Sequence, residues 1–192
     1  MGLDMYLERC NRKAWGYKNV NINEVKNNKP KLYEELKPYI YSGDIESYHW
    51  ESIFEEVGYW RKANHIHKWF VDHIQDGIDD CDYHREVTEE DLVELLETCN
   101  AVLESCKMVN GKICNGYKFE DGIRVPIMED GKYVEDPRVA AKLLPTESGF
   151  FFGGTDYDEW YIEDIKNTID IITNVIETTD FNTQMIYYDS SW

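Results

Sequence analysis

Apolar and polar positions alternate along residues 2–10, with Leu3, Met5 and Leu7 set against Asp4, Tyr6 and Glu8. A period of two collects the apolar set on one face of an extended chain and predicts a strand. Residues 183–192 alternate in the same way and predict a second strand, which pairs with the first and closes the domain. Between them the spacing turns helical. Over residues 55–75, Trp60, Ala63, Ile66 or His67, Phe70 and Ile74 recur every three or four positions, predicting one helix with a buried stripe that stops near Gly77. A second helix starts at Thr88 as N-cap, with Glu90 or Asp91 bonding back. Its stripe runs through Leu92, Leu95, Leu96, Cys99, Val102, Leu103 and Cys106. A third, capped by Thr155, carries Trp160, Ile162, Ile165, Ile169, Ile172 and Val175 or Ile176 at helical spacing.

Turn-forming residues divide what remains. Asn-Gly and Asp-Gly pairs break residues 110–137 into short β-forming runs, which predicts one or two hairpins projecting from the helices. Pro137 opens a short helix, and residues 31–39 make a helical turn stopped by Pro38. The Asn- and Lys-rich residues 11–30 are expected to be an exposed, mobile connection. The resulting expectation is a single α+β domain over residues 1–192. In it, three main helices pack on a small antiparallel sheet formed by the N- and C-terminal strands, with a hairpin insertion at 110–137.

Charge narrows the possible partners. The chain of 192 residues has a formal net charge of −18, and residues 1–38, with 8 Lys/Arg against 5 Asp/Glu, contribute +3, leaving −21 for the rest. Such a surface repels phosphate backbones, so direct nucleic-acid binding is not expected. A local basic recess for a small anion stays open, as does acidity that serves only solubility. Five cysteines without a repeated Cys-x-x-Cys point to reduced thiols, and no apolar run reaches the roughly 18 residues of a membrane span. A cytoplasmic protein without a membrane partner is the expectation.

The densest chemistry lies in the predicted helix 55–75. A step of 100° per residue puts Arg61, Asn64, Lys68 and Gln75 on one polar side, with Lys62, His65, Trp69 and His73 flanking it and Trp60, Ile66 and Phe70 facing inward. Basic groups bind phosphate or carboxylate oxygens, and a Trp face stacks on a base or ring. These are the parts of a nucleotide or anion pocket, or else of an amphipathic helix whose basic residues pair with surplus acids. Residues 144–161, with Phe150, Phe151 and Phe152 followed by Gly153 and Gly154, suit a loop closing over such a pocket.

Other chemistries find weaker support. His65, His67 and His73 lack the i, i+4 spacing of a helical zinc pair, and the acidic runs at 76–82 and 155–159 lack the glycine and glutamate of a calcium loop. No metal or cofactor is expected. Cys81 lies three residues before His84 but among acids, which raise a thiol pKa. Paired carboxylates such as Asp156 and Asp158 suit acid–base work but also arise by chance at a charge of −18, and no phosphate loop or nucleophile elbow is present, so no catalytic residue is assigned.

The blocks "MGLDMYL", "GYWRKANHIHKWFV" with "QDGIDDC", "LPTESGFFFGGTDYDEWY" and "YYDSSW" together resemble a family of small uncharacterised phage and prophage proteins, over about a third of the chain. The resemblance implies a phage or prophage context and brings no established reaction. Relatives often carry Ala at His65, which leaves His67 as the better ligand residue. By analogy with small phage proteins, the expected role is an accessory binding protein, counter-defence included. It would sequester a small anionic or nucleotide ligand between Tyr59, Trp60, Arg61, Lys62, Asn64, His67, Trp69 and Gln75 and the loop residues Phe151, Thr155, Asp156 and Tyr157. The alternatives are an acidic nucleic-acid mimic that blocks a basic host protein, with helix 88–109 and the 76–82 cluster carrying the charge, and a metal-dependent hydrolase.

Overall fold

The alternation of the first residues is realised as strand β1 (Asp4–Asn11). In the computed structural model, which describes residues 2–46, 48–81, 85–149 and 151–192, this strand lies inside a sheet. After it come helices α1 (Ile22–Asn28) and α2 (Pro30–Leu36), a small hairpin of β2 (Tyr41–Ile45) and β3 (Tyr48–Ser52), and strand β4 (Phe54–Arg61). Helix α3 (Asn64–His73), strand β5 (Arg85–Val87) and helix α4 (Glu89–Ser105) lead to a long hairpin, β6 (Met108–Glu120) and β7 (Ile123–Val134). Helices α5 (Arg138–Leu143) and α6 (Glu159–Thr178) precede the last strand, β8 (Gln184–Ser191). The main sheet runs β4-β1-β8-β5 with every neighbour antiparallel, so the expected pairing of the first and last strands is present.

Neighbours on both sides pair the backbone groups of β1, and its alternating side chains divide between the two faces of the sheet. On one, Leu3, Met5 and Leu7 join Trp60, Ile186 and Tyr188 beneath Ile66 and Phe70 of α3, Leu92 and Leu95 of α4, and Ile165 and Ile172 of α6. On the other, Cys10 and Tyr187 meet Ile22, Leu36 and Ile53, and Trp15 stacks on Tyr187 with centroids 4.1 Å apart. Residues 11–30, expected as an exposed connection, contain a 3-10 turn and α1, and they pack on the Cys10 end of the second face, while Asp4, Tyr6 and Glu8 on that face stay half-buried. Their polar composition concealed the apolar residues, Trp15, Ile22 and Val25, that do the packing.

The predicted helix 55–75 is two elements. Residues 54–61 form a strand, because Val57, Tyr59 and Trp60 favour extended backbone, Gly58 disfavours helix, and the exposed edge of β1 is there to pair with. Lys62, with φ +62°, ends the strand, and α3 begins only at Asn64. The helical spacing between Trp60 and Ala63 spans a junction. Gly58 also permits close packing, since a Cβ there would lie 2.7 Å from the Ile171 side chain of α6.

The other expectations divide. Thr88 caps α4 in a reciprocal box with Asp91, as the pattern predicted, and residues 108–134 form one hairpin with its own two-stranded sheet. Helix α6 is capped by Asp158, not Thr155, and Trp160 is 52% exposed while Tyr161 is buried. The expected set of three helices on one small sheet is thus too simple, with six α-helices and three sheets among the described residues. Among these residues no helix is long and apolar enough to cross a membrane.

Replacing Gly58 by Val should drive a branched side chain into α6 and lower stability by about 1–3 kcal/mol. A urea midpoint equal to that of the parent would show that α6 does not press on β4.

Candidate functional site

The junction between β4 and α3 is built around Asn64. The left-handed backbone at Lys62 turns the chain by one residue and puts Asn64 in the first turn of α3, buried. There its Nδ2 donates to the carbonyls of Phe152 (2.9 Å) and Gly154 (2.7 Å), and its Oδ1 accepts from the Glu147 N–H (2.9 Å). Gly153, with φ +90°, lets the loop lie against Lys62, 3.1 Å from a Cβ it does not have. A further bond runs from the Leu3 N–H to the Phe151 carbonyl, 3.1 Å. Asn64 and the loop around Phe151 and Tyr157 are therefore brought together as expected, but the amide is consumed in holding the loop. Phe150 lies outside the described residues.

The cationic groups are engaged as well. Arg61 Nη1 lies 2.9 Å from Asp4 Oδ1, which also accepts from the Tyr59 hydroxyl at 2.5 Å. Lys68 Nζ is 3.0 Å from Asp72 and 4.0 Å from Glu147. Trp60 points to the opposite face of β4, where its Nε1 donates to Thr168 Oγ1 at 2.9 Å. Trp69 is buried and stacks on His73, while Lys62, Thr155 and Asp156 are exposed. Gln75 is buried, with Nε2 3.5 Å from the Asp80 carbonyl and, among the described residues, no partner for Oε1. The expected ligand residues thus divide among three environments: the outer edge of β4, the core, and the loop.

His67 is the hub of a different cluster. Fully buried, it places Nδ1 2.7 Å from the Tyr188 hydroxyl, and Nε2 3.2 Å from Asp79 Oδ1 but out of line for a hydrogen bond. The same Asp79 oxygen accepts from Trp192 Nε1 at 3.2 Å, and Phe152 meets the imidazole edge-on. Burial pushes the Tyr188 phenol well above its ordinary range, so it stays protonated. The cluster ties α3, the 76–81 turn and β8 together. Sequence reasoning picked His67 and missed Tyr188, Trp192 and the role of Asp79. Asp82 and His84 lie outside the described residues.

Nucleophilic chemistry is poorly served. Burial pushes Cys10 up to about 11 and Cys99 up to about 12, and raises Cys81 and Cys106, so these thiols stay protonated near neutrality. His65 is pushed down to about 3 by burial and stays neutral against Tyr161. Among the described residues no group of three or more His, Cys, Asp or Glu side chains is placed to hold a metal ion.

A cleft of about 400 Å³ opens elsewhere, where β5 leads into α4 and α6 leads into β8. Its walls include Glu86, Glu89, Glu90 and Asp180, with Arg12 as the one basic residue, held 3.1 Å from Glu86. None of the residues expected to bind ligand lines it. Helix α4 continues this acidity: Glu89, Glu90, Asp91, Glu94, Glu97 and Glu104 face no Lys or Arg of their own helix. Comparison with protein-family models, with curated proteins and with solved structures finds no match.

Two outcomes follow from this geometry. Asn64→Ala removes three bonds to buried or half-buried backbone and should cost about 2–4 kcal/mol, with faster hydrogen exchange at the Glu147 amide; unchanged exchange there would show that the loop is held by other contacts. Burial beside Glu163 and Asp158 raises Asp164 from 3.8 to about 7. The native state then binds more protons than the unfolded chain between these values, so this carboxyl lowers stability as pH rises through them. Asp164→Asn should therefore stabilise the protein more at pH 8 than at pH 5, as read from denaturant midpoints; an equal effect at both would place the titration elsewhere.

Proposed function

We propose that this chain is a binding protein that docks its acidic surface, centred on the cleft at the start of α4, on a basic partner protein in the manner of a nucleic-acid mimic. The observation that carries the reading is a cleft walled by Glu86, Glu89, Glu90 and Asp180 whose one basic residue, Arg12, is already paired with Glu86. Lys or Arg side chains of a partner fit such a cleft, and the base-free stripe of α4 extends the attraction beyond it. The resemblance to phage and prophage proteins supports a host macromolecule as the target, counter-defence included. Sequestration of a small anion is less well supported, because Arg61 and Lys68 are already engaged by Asp4, Asp72 and Glu147.

The test is a panel of purified basic host proteins titrated against the full chain. Binding should weaken steeply as salt rises from about 0.05 to 0.5 M and be lost in Glu89→Lys/Glu90→Lys. Asp91 is kept, since it closes the capping box of α4. Binding indifferent to both salt and the charge swap, or a nucleotide that raises Tm while no basic protein binds, removes the proposal.

A further inference from the structure

The hairpin β6–β7 differs from the rest of the molecule in charge and in cover. Lys112, Lys118, Arg124 and Lys132 balance Glu120, Asp121, Glu129 and Asp130, so residues 108–134 sum to zero in a chain of −18. Beyond its base, where Ile113 and Val134 are buried, Tyr117 is 51% exposed, Phe119 77% and Ile123 67%. Among the described residues no third strand joins the pair. Open edges of this kind present backbone N–H and C=O groups to another strand.

The two edges are not equivalent. The turn residues Asp121 and Gly122 have φ +49° and +79°, the two-residue geometry that follows the twist of the strands. Its closing pair, Glu120 and Ile123, exchanges both hydrogen bonds, so the backbone groups of the next pair, Phe119 and Arg124, point outward. Along β7 the following outward position is Pro126, which has no N–H to donate. Along β6, Phe119 keeps both donor and acceptor.

We propose that a second copy of this chain pairs antiparallel along the free edge of β6, with Phe119 opposite its own equivalent on a two-fold axis. Charge selects the register. Lys118 Nζ and Glu120 Oε1 lie 2.7 Å apart on one face of the arm. With the axis at Phe119, Lys118 stands opposite Glu120 of the second copy, and the four charges alternate around a square. Moving the axis by one residue sets Lys118 against itself or Glu120 against itself. On the other face Phe119 meets its equivalent and loses exposed aromatic surface, while Tyr117 comes beside the turn residue Asp121 of the second copy. Pairing through the tips also places the two acidic bodies at opposite ends of the joint, where their repulsion is least. This contact uses a surface separate from the acidic cleft and does not depend on the basic-partner reading.

Sedimentation equilibrium of the full chain in about 0.15 M salt tests it. The mass should rise from 22.7 kDa toward twice that value as concentration increases. Lys118→Glu should weaken the association several-fold, and Lys118→Glu/Glu120→Lys should restore it, a rescue that unspecific apolar adhesion does not produce. A single chain mass up to about 1 mM overturns the proposal. So does an association unaffected by Lys118→Glu, or one that the double exchange fails to restore. A chain that stays monomeric, yet loses its hold on a basic protein when Phe119 is changed to Asp, assigns the arm to a different partner and equally overturns self-pairing.

Discussion

The antiparallel placement of β1 between β4 and β8 is the interaction on which the rest of the structure depends. Flanked on both edges, β1 has its backbone groups paired on either side, and the chain packs one apolar cluster along its Leu3–Leu7 face and a second, smaller one at Cys10 on the other. The ladder also reaches past the strand: the Lys62 N–H donates to the Leu3 carbonyl at 2.8 Å, and the Leu3 N–H donates to Phe151. One strand thereby fixes the start of α3 and the loop that crosses it. Nothing near Asn64 keeps its geometry if β1 leaves the sheet.

Buried polar groups explain why the residues with the richest chemistry are committed inside the chain. A buried donor or acceptor left without a partner costs more than a made bond returns. Asn64 accordingly meets three backbone groups, Trp60 meets Thr168, and Thr168 in turn donates to the Asp164 carbonyl at 2.7 Å. His67 is satisfied at Nδ1 by Tyr188 and faces the Asp79 carboxylate at Nε2. These groups order the junction, the 76–81 turn and the last strand relative to one another.

Electrostatics divides the surface into two kinds. At the start of α4, Glu89, Glu90 and Asp91 sit where the helix dipole favours negative charge, and two of them, Glu89 and Glu90, also wall the cleft. Acidity at this end of the helix therefore favours the fold. The hairpin arm is the opposite case: its charges of both signs sum to zero, and it exposes Tyr117, Phe119 and Ile123 near its tip.

Local physics made much of this legible in the residues. The capping box at Thr88 and Asp91, the stripe of α4, the strand alternation around Met5 and the Asp121-Gly122 turn are short-range preferences and appear where their patterns stand, whereas Asn110-Gly111, Asn115-Gly116 and Asp130-Gly131 are carried inside the strands of the hairpin. What the residues alone did not decide lies wherever two elements compete for one stretch. Helical spacing from Trp60 to Phe70 was outweighed by the hydrogen bonds that β1 offers to residues 54–61, a partner more than forty positions away in sequence. Polar residues 11–30 became structured because Tyr187 gave Trp15 a surface to stack on. Whether Arg61 was a ligand for an anion or a partner for Asp4 likewise depended on pairing Asp4 with Arg61 across two strands, since charge is written in the sequence but its neighbours are chosen only by the tertiary fold.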